Sequence, residues 1–213
     1  MKRLLGLFVL LACVISSQAQ EEKKFYLWNT SCVHLKLNSD YKMKFSSKIH
    51  YLPEEHFRDM TYLDFALSRK MNDWFSLGLA FRGAQTRKET GDVMEYRPQF
   101  VTGLQLPKSK IKCKTTNRLE YRTFSEGDAY ARYYHNIFVR FPGQGAWPKP
   151  YLGEELFTKL SSDGTHLARI YGGLEMLKLD YLRIDMYYVW QQTKRNSDWQ
   201  GADAVGINLH FFI

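Results

Sequence analysis

Long stretches of strict alternation between apolar and polar residues organise this chain. From Tyr41 to Tyr51 every second residue, except Ser47, is apolar, and all the residues between them are polar. A period of two places the two classes on opposite faces of a β-strand, whereas a helix would scatter them around its axis. The segment therefore predicts a strand with one apolar and one polar face.

The same alternation recurs along the chain and predicts eleven strands. The predicted strands are 25–37, 41–51, 60–69, 74–85, 94–106, 111–124, 130–141, 150–157, 165–175, 181–192 and 203–213. Most are longer than the usual globular strand of about 5–6 residues, and a strand that crosses a bilayer needs about 9–11 residues. Their length favours an all-β, antiparallel, up-and-down transmembrane β-barrel of about 10–12 strands.

The odd count conflicts with bacterial membrane barrels, which have an even number of strands and both termini in the periplasm. Two solutions stay open: the segment from Gln20 crosses the lumen, or one edge segment does not pair and ten strands remain. Pro98 also interrupts the fifth strand and predicts a bulge or kink there.

The links between the predicted strands differ in length. Those after strands one, three, five and nine are tight, whereas most of the others, at 52–59, 86–93, 125–129, 158–164 and 193–202, are longer and polar. Outer-membrane barrels combine short periplasmic turns with longer external loops. The pattern therefore favours that class.

Two further features agree with a membrane barrel. Aromatic residues lie near strand ends, for example Trp28, Trp74 and Trp190, where such rings form girdles at the level of the lipid head groups. The segment 205–213 places apolar residues at alternate positions up to Ile213, as in the terminal strand that the barrel-insertion machinery recognises. We therefore expect outer-membrane lipid and that machinery as partners.

The N-terminal segment has the features of an export signal. Basic residues and an apolar run over 4–15 precede the small residues Ser17 and Ala19, and the apolar run is too short for a membrane-spanning helix. The sequence predicts a cleaved signal peptide over 1–19, a barrel domain over 20–213 and a location in the bacterial outer membrane.

A second mode of processing stays open for this segment. The sequence Leu10-Leu11-Ala12-Cys13 resembles a lipobox, in which Cys13 would become a lipidated N-terminus.

The basic charge does not indicate nucleic acid. The formal net charge is +8 and falls to +6 when Lys2 and Arg3 are removed with the signal peptide. The remaining cations are spread singly through alternating segments, so no nucleic-acid partner is expected. Cys32 and Cys113 are too few and too far apart in sequence for a disulfide framework or a recognisable zinc motif.

Charged residues on the polar strand faces are the candidate functional residues. Glu120 lies between Arg118 and Arg122 on one face, and Glu154 is expected near them. Paired charges would fill and stiffen a narrow lumen, and an anion-selective lining is the alternative. The predicted lumen network comprises Arg82, Arg97, Arg118, Glu120, Arg122, Arg132, Glu154, Arg169, Glu175, Arg183 and Asp185.

Three stretches resemble one known family. They are 117–122 (NRLEYR), 150–157 (PYLGEELF) and 205–212 (VGINLHFF). On these stretches the chain resembles the outer-membrane β-barrel proteins of the domain of unknown function 2490 family. The resemblance implies a barrel in the outer membrane and brings no established activity or catalytic residues.

Motifs for catalysis or metal binding are missing from the sequence. There is no Gly-x-Ser-x-Gly elbow, no His-x-x-x-His, no Cys-x-x-Cys and no acidic calcium loop, so no catalytic residue, metal or other cofactor is expected. The predicted role is structural or passive permeation. Two alternatives stay open: an outer-membrane lipid hydrolase using His135 or His166 with a nearby serine, and a soluble periplasmic barrel that binds a small ligand. The oligomeric state stays open too.

Overall fold

The computed structural model describes residues 23–55, 57–88, 91–106, 110–143, 148–161, 164–195 and 198–213; the predicted signal peptide lies outside them. These residues form eleven strands: β1 (Lys24–Lys36), β2 (Tyr41–Leu52), β3 (Phe57–Lys70), β4 (Phe75–Lys88), β5 (Gly91–Gln105), β6 (Lys112–Phe124), β7 (Tyr130–Arg140), β8 (Lys149–Lys159), β9 (Thr165–Lys178), β10 (Leu182–Arg195) and β11 (Asp198–Phe212). The all-β fold and the count of eleven are confirmed. In the described ranges no helix is long and apolar enough to cross a membrane.

The strands close into one barrel in which each pairs with its neighbours in sequence and β1 pairs with β11. The closing pair is parallel and runs from Lys24 opposite Ala202 to His34 opposite Phe212. With an odd number of strands, the first and the last run in the same direction, so an entirely antiparallel barrel cannot form. All eleven described strands pair, so the alternative in which one edge segment stays unpaired is wrong. The start of the segment from Gln20, on which the other alternative depends, lies outside the described residues.

The two ends of the barrel can be named from the chain termini. The N-terminal end holds Lys24, and the C-terminal end holds Phe212. The predicted sorting of the links is wrong, because β4 and β10, whose ends were predicted to lead into long loops, are each followed by the next strand after only two residues. Polar residues that were predicted to form loops there continue the strand ladders instead.

Two turns at the C-terminal end use the same hydrogen bonds. The Asn38 side-chain oxygen accepts from the backbone N–H groups of Asp40 and Tyr41, and the Asn72 side chain does the same for Trp74 and Phe75. Asparagine stabilises tight turns in this way.

The bulge predicted at Pro98 is absent. The pairing of β5 with β6 stops after Tyr96 and resumes at Gln99 in the same register, so no extra residue is inserted into the strand.

The barrel wall has the reverse polarity of a soluble protein. On the outward face Leu63 and Leu79 each expose 65% of their surface, whereas the inward-facing Lys48 and Glu120 expose 7% and 1%. Further exposed outward-facing residues are Phe45, Ile49, Phe65, Leu67, Phe81, Phe100, Leu119, Leu152, Ile170, Met186, Val205, Ile207 and Phe211. Charged groups therefore share the interior of the barrel with a buried cluster of aromatic and small apolar residues, and apolar groups cover much of its outer wall.

Aromatic rings lie flat against the inner wall where the facing residue is glycine. Tyr151 covers Gly173, and Tyr187 covers Gly206, its partner across the β10–β11 pair. Each ring occupies the space in which a Cβ of the glycine would stand. The interior can thus hold large rings without widening the barrel.

Adjacent glycines on β9 allow a direct test of this packing. Gly173→Ala places a methyl group into the Tyr151 ring, whereas Gly172→Ala points outward into open space. We expect Gly173→Ala to lower the free energy of unfolding by about 1–3 kcal/mol and Gly172→Ala to leave it unchanged, as measured by urea unfolding. Equal effects of the two substitutions would contradict the ring packing.

The charged lumen as candidate functional site

Glu120 on β6 is the centre of the largest ion cluster. Its side chain has no exposed surface and lies within reach of three guanidinium groups. Arg132 binds Oε2 at 2.6 Å, Arg118 approaches Oε1 at 3.1 Å, and Arg97 lies 3.6 Å from Oε2. Glu120 therefore neutralises several buried cations at once.

Glu95 on β5 extends this cluster toward the N-terminal end of the barrel. Both of its oxygens accept hydrogen bonds from Arg122, at 2.6 and 2.7 Å, and Arg97 donates to it at 2.7 Å. Arg122 also donates to the hydroxyl of Tyr130. Arg122 is thus bound to Glu95 rather than to Glu120, its neighbour on the same strand face.

Two further carboxylates anchor the middle of the lumen. Asp64 accepts two hydrogen bonds from Arg82, at 2.5 and 2.8 Å, which is the strong bidentate geometry. Glu155 accepts from the hydroxyls of Tyr134 and Tyr171 at 2.7 and 2.8 Å. Arg169 also binds Glu155, at 3.2 Å.

A third group of charges occupies the C-terminal end of the lumen. Asp185 on β10 binds Arg140 at 2.9 Å and Arg183 at 3.2 Å. Arg140 and Lys149 approach Glu175 at 3.5 and 3.6 Å. Because Arg140 lies on β7, its contact with Asp185 spans the lumen between strands that are not neighbours.

Aromatic rings lie against several of the lumen cations, including arginines that carboxylates also bind. Trp28 was predicted to lie in an interfacial girdle but is only 4% exposed and faces inward, whereas Trp74 is exposed as predicted. The ammonium of Lys48 lies 3.7 Å from the Trp28 ring centre. Similar contacts join Arg82 to Tyr62, Arg118 to Tyr134, Arg132 to Phe157 and Arg140 to Tyr151. Such cation–π contacts strengthen when water is excluded.

The described network has a positive excess. Its six carboxylates are Asp64, Glu95, Glu120, Glu155, Glu175 and Asp185. Its ten cations are Lys48, Arg82, Arg97, Arg118, Arg122, Arg132, Arg140, Lys149, Arg169 and Arg183. Ten basic side chains less six carboxylates leave an excess of four basic side chains in this network.

All of the sequence-predicted network residues except Glu154 face the lumen. Those that do are Arg82, Arg97, Arg118, Glu120, Arg122, Arg132, Arg169, Glu175, Arg183 and Asp185. Glu154 lies on the outward face, in register with the exposed Ile170, and Glu155 takes the inward position. Leu152 and Leu156 lie on the same strand face as Glu154, and these apolar neighbours indicate from the sequence alone that Glu154 faces outward.

Lys48, Asp64, Arg140, Lys149 and Glu155 belong to the network but were not predicted from the sequence as its members. Arg140 was within a predicted strand, and its inward direction followed from the alternation with Arg132. Its partner could not be read from the sequence, because Asp185 lies three strands away around the barrel.

On the outer wall, His135 has an amide rather than a serine as its hydrogen-bond partner. Its Nδ1 lies 2.8 Å from Oδ1 of Asn117, which also accepts from the hydroxyl of Tyr133 at 2.6 Å. The three polar side chains therefore bind one another on the outward face. This arrangement does not supply the nucleophile that the hydrolase alternative requires beside His135.

Comparison with known proteins gives a family but no activity. The family model described as "Protein of unknown function (DUF2490)" matches residues 25–202, which run from β1 into β11. Its description names neither a location nor an activity, and no curated protein matches the chain significantly. Because the match covers more than half of the 213 residues, the chain belongs to the DUF2490 family.

Proposed function

We propose that this protein is a bacterial outer-membrane β-barrel with a structural role and a lumen that is closed to solutes. The reversed polarity of its wall carries the proposal: charges are buried inside and leucine and phenylalanine side chains face outward. In water that outer wall would be a large apolar patch, which soluble monomers rarely expose. In a bilayer it is the surface that contacts the lipid chains.

The export signal supports an outer-membrane location. Residues 1–19 have the pattern of a signal peptide, and β11 places Val205, Ile207 and Phe211 on the outward face. The barrel-insertion machinery, which acts on such strands, is the proposed partner. Lipid is the proposed environment of the outer wall.

A soluble barrel that binds a small ligand is a weaker explanation. Such barrels hold their ligand inside and would need an apolar or open interior and a polar wall. Here the interior holds ion pairs between Glu120 and Arg132 and between Asp64 and Arg82. The apolar outer wall is the opposite of that requirement, and the buried ion pairs and aromatic rings occupy the space that a ligand would need.

Contacts across the barrel support a closed lumen. Arg169 on β9 lies 4.8 Å from the ring centre of Trp28 on β1, and Arg140 on β7 reaches Asp185 on β10. Val189 and Ala204, which face inward, expose 0% and 1% of their surface. Long side chains therefore fill the interior rather than line a channel.

Fractionation of cells that express the full chain tests the location. We expect the protein in the outer-membrane fraction after a carbonate wash, and we expect the folded form to migrate differently on gels before and after heating. Recovery in the soluble periplasmic fraction would contradict the proposal.

Conductance in planar bilayers tests the closed lumen. We expect no steady conductance from the wild-type protein, because the ion pairs and rings occupy the path. A stable open channel, particularly an anion-selective one, would contradict the closed lumen and restore the permeation role. An inserted porin measured in the same bilayers serves as the positive control.

A further inference from the structure

Three metal-binding side chains meet where the barrel closes. Cys32 and His34 lie on the inward face of β1, and His210 lies on β11 as the parallel partner of Cys32. The candidate ligand atoms of the three residues all lie within 4.8 Å of one another. The two imidazoles approach each other most closely, with His34 Nε2 3.0 Å from His210 Nδ1.

We infer that Cys32, His34 and His210 bind one thiophilic transition-metal ion, copper(I) in preference to zinc(II). Thiolate and imidazole are ligands that both ions accept. The residues belong to no short sequence motif, because 176 positions separate His34 from His210. The parallel closure of the barrel brings them together.

The surroundings of His210 fit a metal ligand. Its Nε2 lies 3.6 Å from Oδ2 of Asp185, which leaves Nδ1 directed at His34. A carboxylate behind the second nitrogen of a histidine is the usual support of a metal-bound imidazole. The ring of Phe212 stacks on His34 at 4.8 Å and restricts the rotation of that imidazole.

Coordination number and charge favour copper(I). Three protein ligands complete a trigonal copper site, whereas zinc usually takes a fourth ligand. Lys44 and Arg183 are the strand partners of His34 and His210, and each adds a positive charge nearby. A monovalent ion with one thiolate is neutral, whereas a divalent ion would leave a positive charge that Asp185 does not offset, because Arg140 and Arg183 already pair with that carboxylate.

Binding requires one proton to leave and a tautomer to be fixed. The thiol of Cys32 loses its proton to solvent and becomes the thiolate ligand. Each imidazole binds through the nitrogen that faces the other ring, so His210 keeps its proton on Nε2, the nitrogen that faces the Asp185 carboxylate. No electron is transferred. The ion would join β1 to β11 and stabilise the closing pair.

Titration of the folded full chain with copper(I), buffered by a competing chelator under reducing conditions, tests the site. We expect one equivalent to bind and the temperature of unfolding to rise. Cys32→Ser should weaken the affinity by at least about 10–100-fold, and His34→Gln should act likewise if Cys32→Ser does not fold. The control Cys113→Ser, in the other described cysteine, should bind as the wild type does.

Two outcomes would overturn the inference. If the wild type, Cys32→Ser and His34→Gln bound copper(I) with equal affinity, these residues would not form the binding site. Retention of zinc(II) against an equal concentration of copper(I) would overturn the choice of metal. Both measurements use folded protein in detergent, so their result does not depend on whether the barrel spans the outer membrane or conducts ions.

Discussion

Glu120→Gln is expected to lower the free energy of unfolding by about 3–5 kcal/mol. The carboxylate is fully buried and faces Arg97, Arg118 and Arg132 within 3.6 Å. Its removal leaves these three cations packed together without their shared counter-charge. Urea unfolding of the protein in lipid vesicles, followed by tryptophan fluorescence, measures the change.

Glu154→Gln is the matched control for this substitution. Glu154 lies on the outward face of β8, where neutralising a carboxylate in lipid costs no stability. We therefore expect no loss of stability from Glu154→Gln. If Glu120→Gln unfolded at the same urea concentration as the wild type, the lumen network would not be what holds the barrel interior together.

Leu63→Arg is expected to destabilise the barrel by about 2–4 kcal/mol in a bilayer. Leu63 lies near the middle of β3 and exposes 65% of its surface. In a soluble protein an arginine at such a site would be nearly neutral, because both states leave the position in water. In a membrane barrel the guanidinium must enter the hydrocarbon layer.

Leu160→Arg introduces the same side chain at a different depth, and it therefore tests whether the loss of stability depends on position in the membrane. Leu160 is similarly exposed but lies at the N-terminal end of the barrel, just after β8. There the expected cost is about 0–1 kcal/mol, because cost falls toward the interfaces. Equal, small effects of the two substitutions in vesicle unfolding would indicate that the outer wall does not contact lipid chains.

The strands could be predicted because alternation is a local property. Every predicted strand exists, but several ends were misplaced at the N-terminal end of the barrel. There Arg87 pairs with Asp92 and Lys194 with Trp199, so polar residues continue the ladders. Polar composition suggests a loop, and it cannot reveal that the facing strand supplies backbone partners.

The inward face of each strand was predicted from the positions of its charged residues. The predicted face agrees with the structure in strands whose other face is clearly apolar. The prediction failed on β8, because Glu154 and Glu155 offer a carboxylate to each face and only the leucines at 152 and 156 decide between them. The buried rings were missed for a related reason. In this barrel an aromatic residue occurs both on the exposed surface and in the filled interior, as Trp74 and Trp28 show.

Contacts between distant strands could not be predicted from the sequence. The cluster of Cys32, His34 and His210 depends on the parallel register of β1 with β11, and a strand count alone does not fix that register. The rule that bacterial membrane barrels have an even number of strands also argued against a parallel closing pair. Its known exception has 19 strands, and the closing pair of an odd, up-and-down barrel must be parallel.

Quenching of a fluorescent label at position 45 is the most direct test of the reversed polarity. Phe45 faces outward on β2 and the adjacent Ser46 faces the lumen. In vesicles, a label on Phe45→Cys, with Cys32 and Cys113 replaced by alanine, should be quenched by nitroxide-bearing lipid and not by aqueous iodide. Quenching by iodide alone would contradict a barrel whose apolar wall lies in the membrane.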